Sequence, residues 1–221
     1  MYTFGKGGMS VKIVTVSCDS VADEALFDAC LAAVSAYSRG RILSLKNEDD
    51  RRRRLGAAVA LDACLRTVGL READVSIALG EHGKPFLPDH PDVQFSLAHS
   101  GDQAVCVLDD HAVGVDIEAV RAVRYEALAR RHFTPEENEW LAAQDDKLRA
   151  FFRLWTAKES ALKARGEGLS GGLSVPVLDG AGLARQFREY DLPGYVLTVC
   201  GQGRFPETIT VISSCDSVLL R

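Results

Sequence analysis

The stretch FFRLWTAKESALKA, residues 151–164, predicts the long helix around which the second half of the chain folds. Residues three, four and seven positions apart share a face of an α-helix. Trp155 and Leu162 therefore lie on the same face as Glu159, which places a carboxylate along an apolar stripe. A lone carboxylate there is costly unless it is paired or bound to a metal. Glu159 is thus either one half of an ion pair with Lys163, one turn away, or part of a functional site.

A second group of acids precedes this helix, in the segment AVGVDIE, residues 112–118. Strand alternation sends Ala112, Gly114, Asp116 and Glu118 to one face of the strand. Two neighbouring carboxylates repel each other unless a proton or a cation lies between them. Oxygen ligands of this kind suit Mg²⁺, and the alternative is a solvated strand face.

Helical and strand patterns follow each other irregularly along the rest of the chain. Apolar periodicity and capping residues predict helices over residues 23–38, 50–68, 124–133, 134–144 and 145–165. The 134–144 helix opens with a capping box, in which Thr134 is the N-cap and the Glu137 side chain is expected to bond back to the Thr134 amide. Alternation and β-branching predict strands over residues 11–17, 75–79, 93–100, 103–109, 112–118, 172–178, 194–200 and 207–214.

Composition indicates an ordinary globular protein. The 221 residues are 47% hydrophobic and 26% charged, and the net charge of −5 argues against a general nucleic-acid binder. The sequence contains no apolar run of membrane-spanning length and no secretory signal, so we expect a cytoplasmic protein that does not act at membranes. Its six cysteines are dispersed without a CxxC pair, which favours buried free thiols over a zinc site or disulfides.

Three loop or surface segments carry cations that suit an anionic ligand. The turn HGKP spans residues 82–85, His99 lies at a strand end in AHSG, and four consecutive arginines occupy residues 51–54. Each has a structural interpretation as well: a plain loop, a structural histidine and a solvated helix surface. One or two of the arginines are candidates for contact with a phosphate.

In their order along the chain, these segments resemble the 4′-phosphopantetheinyl transferases, specifically the larger surfactin-synthetase-activating type. The resemblance covers about residues 40–212 and rests on four segments: HGKPFLPDHPDVQFSLAHSG, VGVDIE, FFRLWTAKESALKARGEGLS and PGYVLTVC. It implies an α+β fold of two similar α/β halves, residues 1–111 and 112–221, related by a pseudo-two-fold axis. Coenzyme A would lie in the cleft between them, and a monomer is expected.

The family reaction moves the phosphopantetheine arm of coenzyme A onto a serine of an apo acyl or peptidyl carrier protein and releases 3′,5′-ADP. The resemblance implies that Asp116, Glu118 and Glu159 bind Mg²⁺, with Mn²⁺ as a substitute. The implied catalytic residues are Glu159 as the base, directly or through water, Lys163 as the group that stabilises charge on the leaving ADP or donates the proton, and Asp116.

The residues that this resemblance assigns to coenzyme A binding are His82, Gly83, Lys84, Pro85, His99, Lys158, Arg39, Arg41 and Arg53. The three arginines are candidates for the 3′-phosphate, and the 82–85 turn would lie beside adenine. The chain departs from the family pattern at Ala98, where a serine usually precedes the histidine. Glu137 matches a further family acid, but its capping box explains it structurally.

Two other functions remain open from the sequence. One is a non-catalytic module that binds coenzyme A or a carrier protein, and the other is an Mg²⁺-dependent hydrolase of the coenzyme A pyrophosphate. The retained Asp116, Glu118, Glu159 and Lys163 argue against the first. The carrier protein is expected to dock on basic and apolar residues that follow Gly166.

Overall fold

The computed structural model describes residues 9–168, 172–173, 175–180, 182–202 and 204–213, which form an α+β fold. The helices of this part are α1 (Glu24–Ala32), α2 (Ala36–Leu43), α3 (Glu48–Arg66), α4 (Tyr125–His132), α5 (Pro135–Ala142) and α6 (Lys147–Arg165). Its strands are β1 (Lys12–Ser17), β2 (Ala78–Leu79), β3 (Pro85–Phe86), β4 (Gln94–Ser100), β5 (Gln103–Asp109), β6 (Gly114–Ala119), β7 (Phe187–Leu192), β8 (Tyr195–Cys200) and β9 (Thr210–Ile212). None of these helices is long and apolar enough to cross a membrane.

The strands form two main sheets and a short hairpin. The first sheet has the order β4-β5-β1-β9, in which β9 runs parallel to β1 and the other pairs are antiparallel. The second sheet has the order β6-β8-β7 and is antiparallel throughout. The hairpin consists of β2 and β3. Strand β9, from the last described segment, returns to pair with β1 of the first sheet. The division of the chain into halves at residue 111 stays a prediction.

Each main sheet is buried on both faces. Helix α3 packs on the outer face of the first sheet, where Val14 and Val16 of β1 join its core. Helix α6 packs in the same way on the second sheet, in a core that includes Phe151 and Leu154. The opposite faces of the two sheets form a third core, to which β1 contributes Ile13. Strands β1 and β5 are apolar along most of their length because successive side chains point to opposite faces of the sheet, and each face is covered by a different core.

Local capping explains where the helices begin and end. The capping box of α5 is present as predicted, and Gly166, with φ of 70°, ends α6 in a left-handed conformation. The predicted single helix over 23–38 is wrong, because Ser35 interrupts it and caps α2. The Ser35 hydroxyl accepts a hydrogen bond from the Ser38 amide, and its own amide donates to the buried carboxylate of Glu72 at 2.5 Å.

Two strand predictions in the second half need correction. The described residues of the 172–178 segment form no strand beyond an isolated bridge at Leu178. Strand β7 was not predicted, because its sequence FREYDL mixes apolar and charged residues on a sheet edge. The five described cysteines are buried, and Cys64, Cys106 and Cys200 are free thiols, as expected; Cys215 lies outside the described residues.

Gly114 allows α6 to lie directly against β6. A Cβ atom at Gly114 would be 2.0 Å from the Ser160 carbonyl oxygen and 2.4 Å from the Ala164 amide nitrogen. Both contacts are with backbone atoms of α6, so the helix cannot relieve them by turning a side chain. A glycine at this position therefore sets the distance between the strand that carries Asp116 and the helix that carries Glu159.

Replacing Gly114 by alanine should destabilise the fold, because the added methyl group displaces the α6 backbone. We expect Gly114→Ala to lower the free energy of unfolding by about 3 kcal/mol, the upper end of overpacking effects, in urea denaturation. Gly40→Ala is the matched control, since a Cβ at this α2 position meets nothing within 4 Å. Equal stability of the two variants would contradict the tight contact.

Candidate active site

Strand β6 and helix α6 bring together the acids that the sequence predicts as metal ligands. Asp116 is 7% exposed, and its Oδ1 accepts a hydrogen bond from Lys163 Nζ at 2.7 Å. Burial raises the pKa of Asp116, although the adjacent Lys163 ammonium opposes this change. The other carboxylate oxygen, Oδ2, is buried and has no hydrogen-bond partner among the described residues. A buried oxygen in that state is costly, so this atom is suited to receive a ligand.

Glu118 lies two residues further along the same face of β6. Its Oε2 accepts a hydrogen bond from the Ser100 hydroxyl at 2.7 Å. Burial raises the pKa of Glu118; the Ser100 hydrogen bond lowers it, and the charge of Asp116 raises it again. The two strand carboxylates therefore interact electrostatically at one end of the second sheet.

Glu159 completes the acidic group from α6. Burial raises the pKa of Glu159 to about 7, and the charges of Asp116 and Glu118 contribute to this shift against the opposing effect of Lys163. The three carboxylates thus interact electrostatically. Lys163 of α6 supplies a positive charge that pairs with Asp116 of β6. A carboxyl with this pKa changes its protonation state near neutral pH, which a general base requires.

These three carboxylates fit a divalent cation by their chemistry. Oxygen donors and the unsatisfied Asp116 Oδ2 suit Mg²⁺, which binds through a few carboxylates and completes its shell with water or phosphate. The structure does not gather their ligand atoms within 4.8 Å of one another, as it does those of Asp109, Asp110 and His111 in the β5–β6 turn. Asp116 is paired with Lys163 instead, and neighbouring carboxylates of like charge repel one another.

A cationic pocket opens on the first half of the chain. Its apolar walls include Tyr37, Pro85 and Phe95, and its cations are Arg41 and Arg54. The Arg41 guanidinium lies 5.9 Å from the centre of the Tyr37 ring. Burial and the charge of Arg41 lower the pKa of Arg54, so two cations face this pocket in close proximity. A flat apolar wall edged by two arginines suits a purine that carries a phosphate.

His99 connects the pocket with the acidic group. Partial desolvation lowers the pKa of His99, and the charges of Arg54, Lys163 and Arg53 lower it further. The side chain is nevertheless exposed at the surface. His99 is therefore near Arg54 on the pocket side and near Lys163 on the carboxylate side. Arg41 and Arg54 at the pocket, and Lys163 beside the carboxylates, thus form a group of cations around His99, which we call the cationic tract.

The residues of the 82–85 turn have different environments. Pro85 lines the pocket, and Gly83, with φ of 83°, forms the turn. His82 is exposed. The Lys84 ammonium points to the second half, where it donates to the carbonyl oxygens of Val113 at 3.1 Å and Ala164 at 3.2 Å. Lys84 thus ties the first half to the end of α6, and the prediction that this turn contacts coenzyme A stays a prediction.

Lys158 does not lie with the other predicted ligand-binding residues. Its side chain is 0% exposed, and its Nζ lies 2.7 Å from Glu137 Oε2 and donates to the Val175 carbonyl oxygen at 2.7 Å. The expected contact between Lys158 and coenzyme A is therefore corrected to an internal ion pair. The sequence does not show which of Lys158 and Lys163 faces the site, because both belong to the same motif. Only the packing of α6 shows that Lys158 lies on the internal face.

The predicted phosphate arginines also separate in the structure. Arg39 donates to the carbonyl oxygens of Leu31, Ala32 and Val34, where α1 ends, so its guanidinium is used structurally. Arg53 donates to Gly101 O at 2.9 Å and pairs with Asp50.

Of these three arginines, only Arg41 lies in the pocket, where it is joined by Arg54. The sequence pointed to the arginine run that contains Arg54 but could not select it, since helix phase alone does not show which member faces the pocket. The carrier-docking segment expected after Gly166 includes residues 169–171, which lie outside the described residues.

Comparisons with known proteins identify the family of the chain. The family model of the 4′-phosphopantetheinyl transferase superfamily matches residues 112–198. The chain is 33% identical over 183 residues to 4′-phosphopantetheinyl transferase Sfp of Bacillus subtilis (strain 168), covering 75% of this chain and 81% of that protein. It is 29% identical over 220 residues to the 4′-phosphopantetheinyl transferase ffp of Bacillus subtilis, covering 92% and 98%.

A third relative is the 4′-phosphopantetheinyl transferase gsp of Aneurinibacillus migulanus, which is 28% identical over 162 residues. The alignment with it covers 72% of this chain and 67% of that protein. The matched region of the family model contains Asp116, Glu118, Glu159 and Lys163. The chain belongs to the 4′-phosphopantetheinyl transferase superfamily and is an enzyme of that class.

Removing the Lys158 ammonium should affect stability rather than ligand binding. Lys158→Met leaves the Glu137 carboxylate buried without its partner, so we expect a loss of about 3 kcal/mol in the free energy of unfolding. The coenzyme A dissociation constant, measured by calorimetry where the variant is folded, should stay within about twofold, well below the tenfold that corresponds to 1.4 kcal/mol. Lys147→Met, at an exposed position of α6, is the control. A stable variant that binds coenzyme A poorly would restore Lys158 as a ligand contact.

Proposed function

We propose that this chain transfers the 4′-phosphopantetheine group of coenzyme A to a serine hydroxyl of an apo acyl or peptidyl carrier protein. The observation that carries the proposal is the joint placement of Asp116, Glu118, Glu159 and Lys163 beside a cationic tract. The tract suits the phosphates of coenzyme A, and the acidic group suits a divalent cation and a base. The named relatives carry the same activity in their names.

Coenzyme A binding follows from the pocket of the first half. Adenine lies against the apolar wall at Pro85 and Tyr37, and Arg41 and Arg54 bind the 3′-phosphate together with His99. The pyrophosphate then extends along the cationic tract to Lys163. In this arrangement the phosphorus next to pantetheine lies beside the carboxylates of β6 and α6.

Asp116, Glu118 and Glu159 would hold an Mg²⁺ ion or, in its place, an Mn²⁺ ion. When bound, such an ion would neutralise charge on the pyrophosphate and make the phosphorus easier to attack. Glu159 accepts the proton of the carrier serine while the serine oxygen forms its bond to the phosphorus next to pantetheine. The phosphorus–oxygen bond to 3′,5′-ADP breaks, and Lys163 stabilises the negative charge that the leaving group acquires.

The two halves of the chain, residues 1–111 and 112–221, are related by a pseudo-two-fold axis. The support is that each half packs a helix of 19 residues, α3 or α6, on antiparallel strands. Because the proposed site lies between the two halves of one chain, we expect the enzyme to act as a monomer. The enzyme acts in the cytoplasm, where coenzyme A and its carrier proteins are available.

The direct test is intact-protein mass spectrometry of an apo peptidyl carrier protein incubated with the enzyme, coenzyme A and Mg²⁺. The carrier should gain one phosphopantetheine, and Glu159→Gln should slow the transfer by at least about a hundredfold, because it removes the general base. Glu139→Gln, at an exposed position of α5, should be fully active. Release of free phosphopantetheine without modification of any carrier would instead indicate a hydrolase.

The same reaction should depend on pH in a defined direction. Below its pKa of about 7, Glu159 is protonated, so it neither accepts a proton nor binds a cation well. At limiting Mg²⁺, transfer should therefore slow as the pH falls from 8 to 6, and excess Mg²⁺ should reduce this loss by displacing the proton. A rate that stays constant over this range would contradict the role of Glu159.

Arg54 gives a separate test of the pocket. Since a charged hydrogen bond contributes about 1.5–3 kcal/mol, Arg54→Gln should lower kcat/KM for coenzyme A by about tenfold or more. With dephospho-coenzyme A, which lacks the 3′-phosphate, the variant and the wild type should be nearly equal. Arg52→Gln is the control, because Arg52 belongs to the same helix and pairs with Glu48 and Asp49 instead. The same loss with both substrates would exclude Arg54 as the 3′-phosphate contact.

A further inference from the structure

Strands β4 and β6 are linked through side chains rather than through a backbone ladder. Strand β4 pairs with β5, and strand β6 pairs with β8, so the two strands belong to different sheets. The Ser96 hydroxyl accepts a hydrogen bond from the Val115 amide at 3.2 Å. Four residues later the Ser100 hydroxyl accepts one from the Ala119 amide at 3.1 Å. Two serines of β4 thus bind two amides of β6 in the same manner.

The two serines differ in where they donate. A serine hydroxyl has one hydrogen to donate in addition to its acceptor lone pairs. The Ser100 hydroxyl donates this hydrogen to Glu118 Oε2, at 2.7 Å. The Ala119 amide orients the hydroxyl oxygen, so the hydrogen bond to the carboxylate starts from an atom that is itself fixed. A carboxylate held at one oxygen loses freedom of rotation and presents its other oxygen in fewer orientations.

The bond also crosses from one half of the chain to the other. Glu118 belongs to the second half, as do Asp116 and Glu159, whereas Ser100 belongs to the first half and follows His99 directly. We propose that Ser100 is a positioning residue, whose hydroxyl holds Glu118 in the orientation that binds the divalent cation. The inference rests on the proposed function, because it assigns Glu118 to the cation. It adds a residue that touches neither the cation nor the substrate.

The chain supplies a matched pair of variants. Ser100→Ala removes the bonds to the Ala119 amide and to Glu118, whereas Ser96→Ala removes, among the described residues, only the equivalent bond to a β6 amide. The difference between the two variants therefore reports the carboxylate bond. Ser100→Thr retains the hydroxyl and tests whether this group, rather than the size of the side chain, is responsible.

The readout is Mn²⁺ binding to each protein without coenzyme A, measured from the free-ion electron paramagnetic resonance signal. Loss of a group that orients a metal ligand weakens metal binding by about tenfold to a hundredfold, so we expect this change for Ser100→Ala. Ser96→Ala and Ser100→Thr should stay close to the wild type. Combining Ser100→Ala with Glu118→Gln should weaken binding no further than Glu118→Gln alone, since both act through one ligand.

Equal Mn²⁺ affinity of Ser100→Ala and Ser96→Ala would overturn the inference, as would a wild-type protein that does not bind Mn²⁺. These results are separate from the test of the proposed function, because transfer to a carrier protein is measured independently. A wild type that transfers phosphopantetheine while Ser100→Ala binds Mn²⁺ normally would refute Ser100 alone. A protein that shows the Ser100 effect on Mn²⁺ but transfers nothing would refute the proposed function alone.

Discussion

The contact between Gly114 and α6 is the constraint on which the site depends. Because no side chain separates the strand from the helix at this point, the backbones lie closer than any other residue would allow. Two residues along the strand, Asp116 reaches the Lys163 ammonium at 2.7 Å. Glu159 lies one turn before Lys163 on the same helix, and its carboxyl group interacts electrostatically with that of Asp116. Gly114 carries no functional group, but its lack of a side chain sets the position of α6 relative to Asp116.

The three carboxylates of the site repel one another electrostatically, and a bound cation would relieve this repulsion. Asp116, Glu118 and Glu159 each have a raised pKa because burial disfavours their charged forms. One lysine neutralises only one of them, and Asp116 Oδ2 stays unsatisfied. Under the proposed function, a divalent cation would supply the missing positive charge, and Lys163 and His99 would meet the phosphates of coenzyme A. The proposed function thus explains why three partly or fully buried carboxylates share one cationic side chain.

Much of this arrangement follows from local sequence. Helix periodicity, the Thr134 capping box and the glycine that ends α6 predict the second-half helices within a few residues, because these signals act over one or two turns. Long-range packing is what the sequence leaves open. It turns Lys158 inward to a buried acid, selects Arg54 from a run of four arginines, and joins Ser100 to Glu118 across two sheets.

The measurement that decides most is the anomalous scattering of Mn²⁺ in a crystal of the enzyme with coenzyme A. The proposed chemistry requires a strong peak bounded by Asp116, Glu118 and Glu159, with an oxygen of the coenzyme A pyrophosphate in its coordination shell. It also requires that Arg54 contact the 3′-phosphate. A peak confined to the turn at residues 109–111, or none within reach of the three carboxylates, would contradict the cation site and the mechanism built on it.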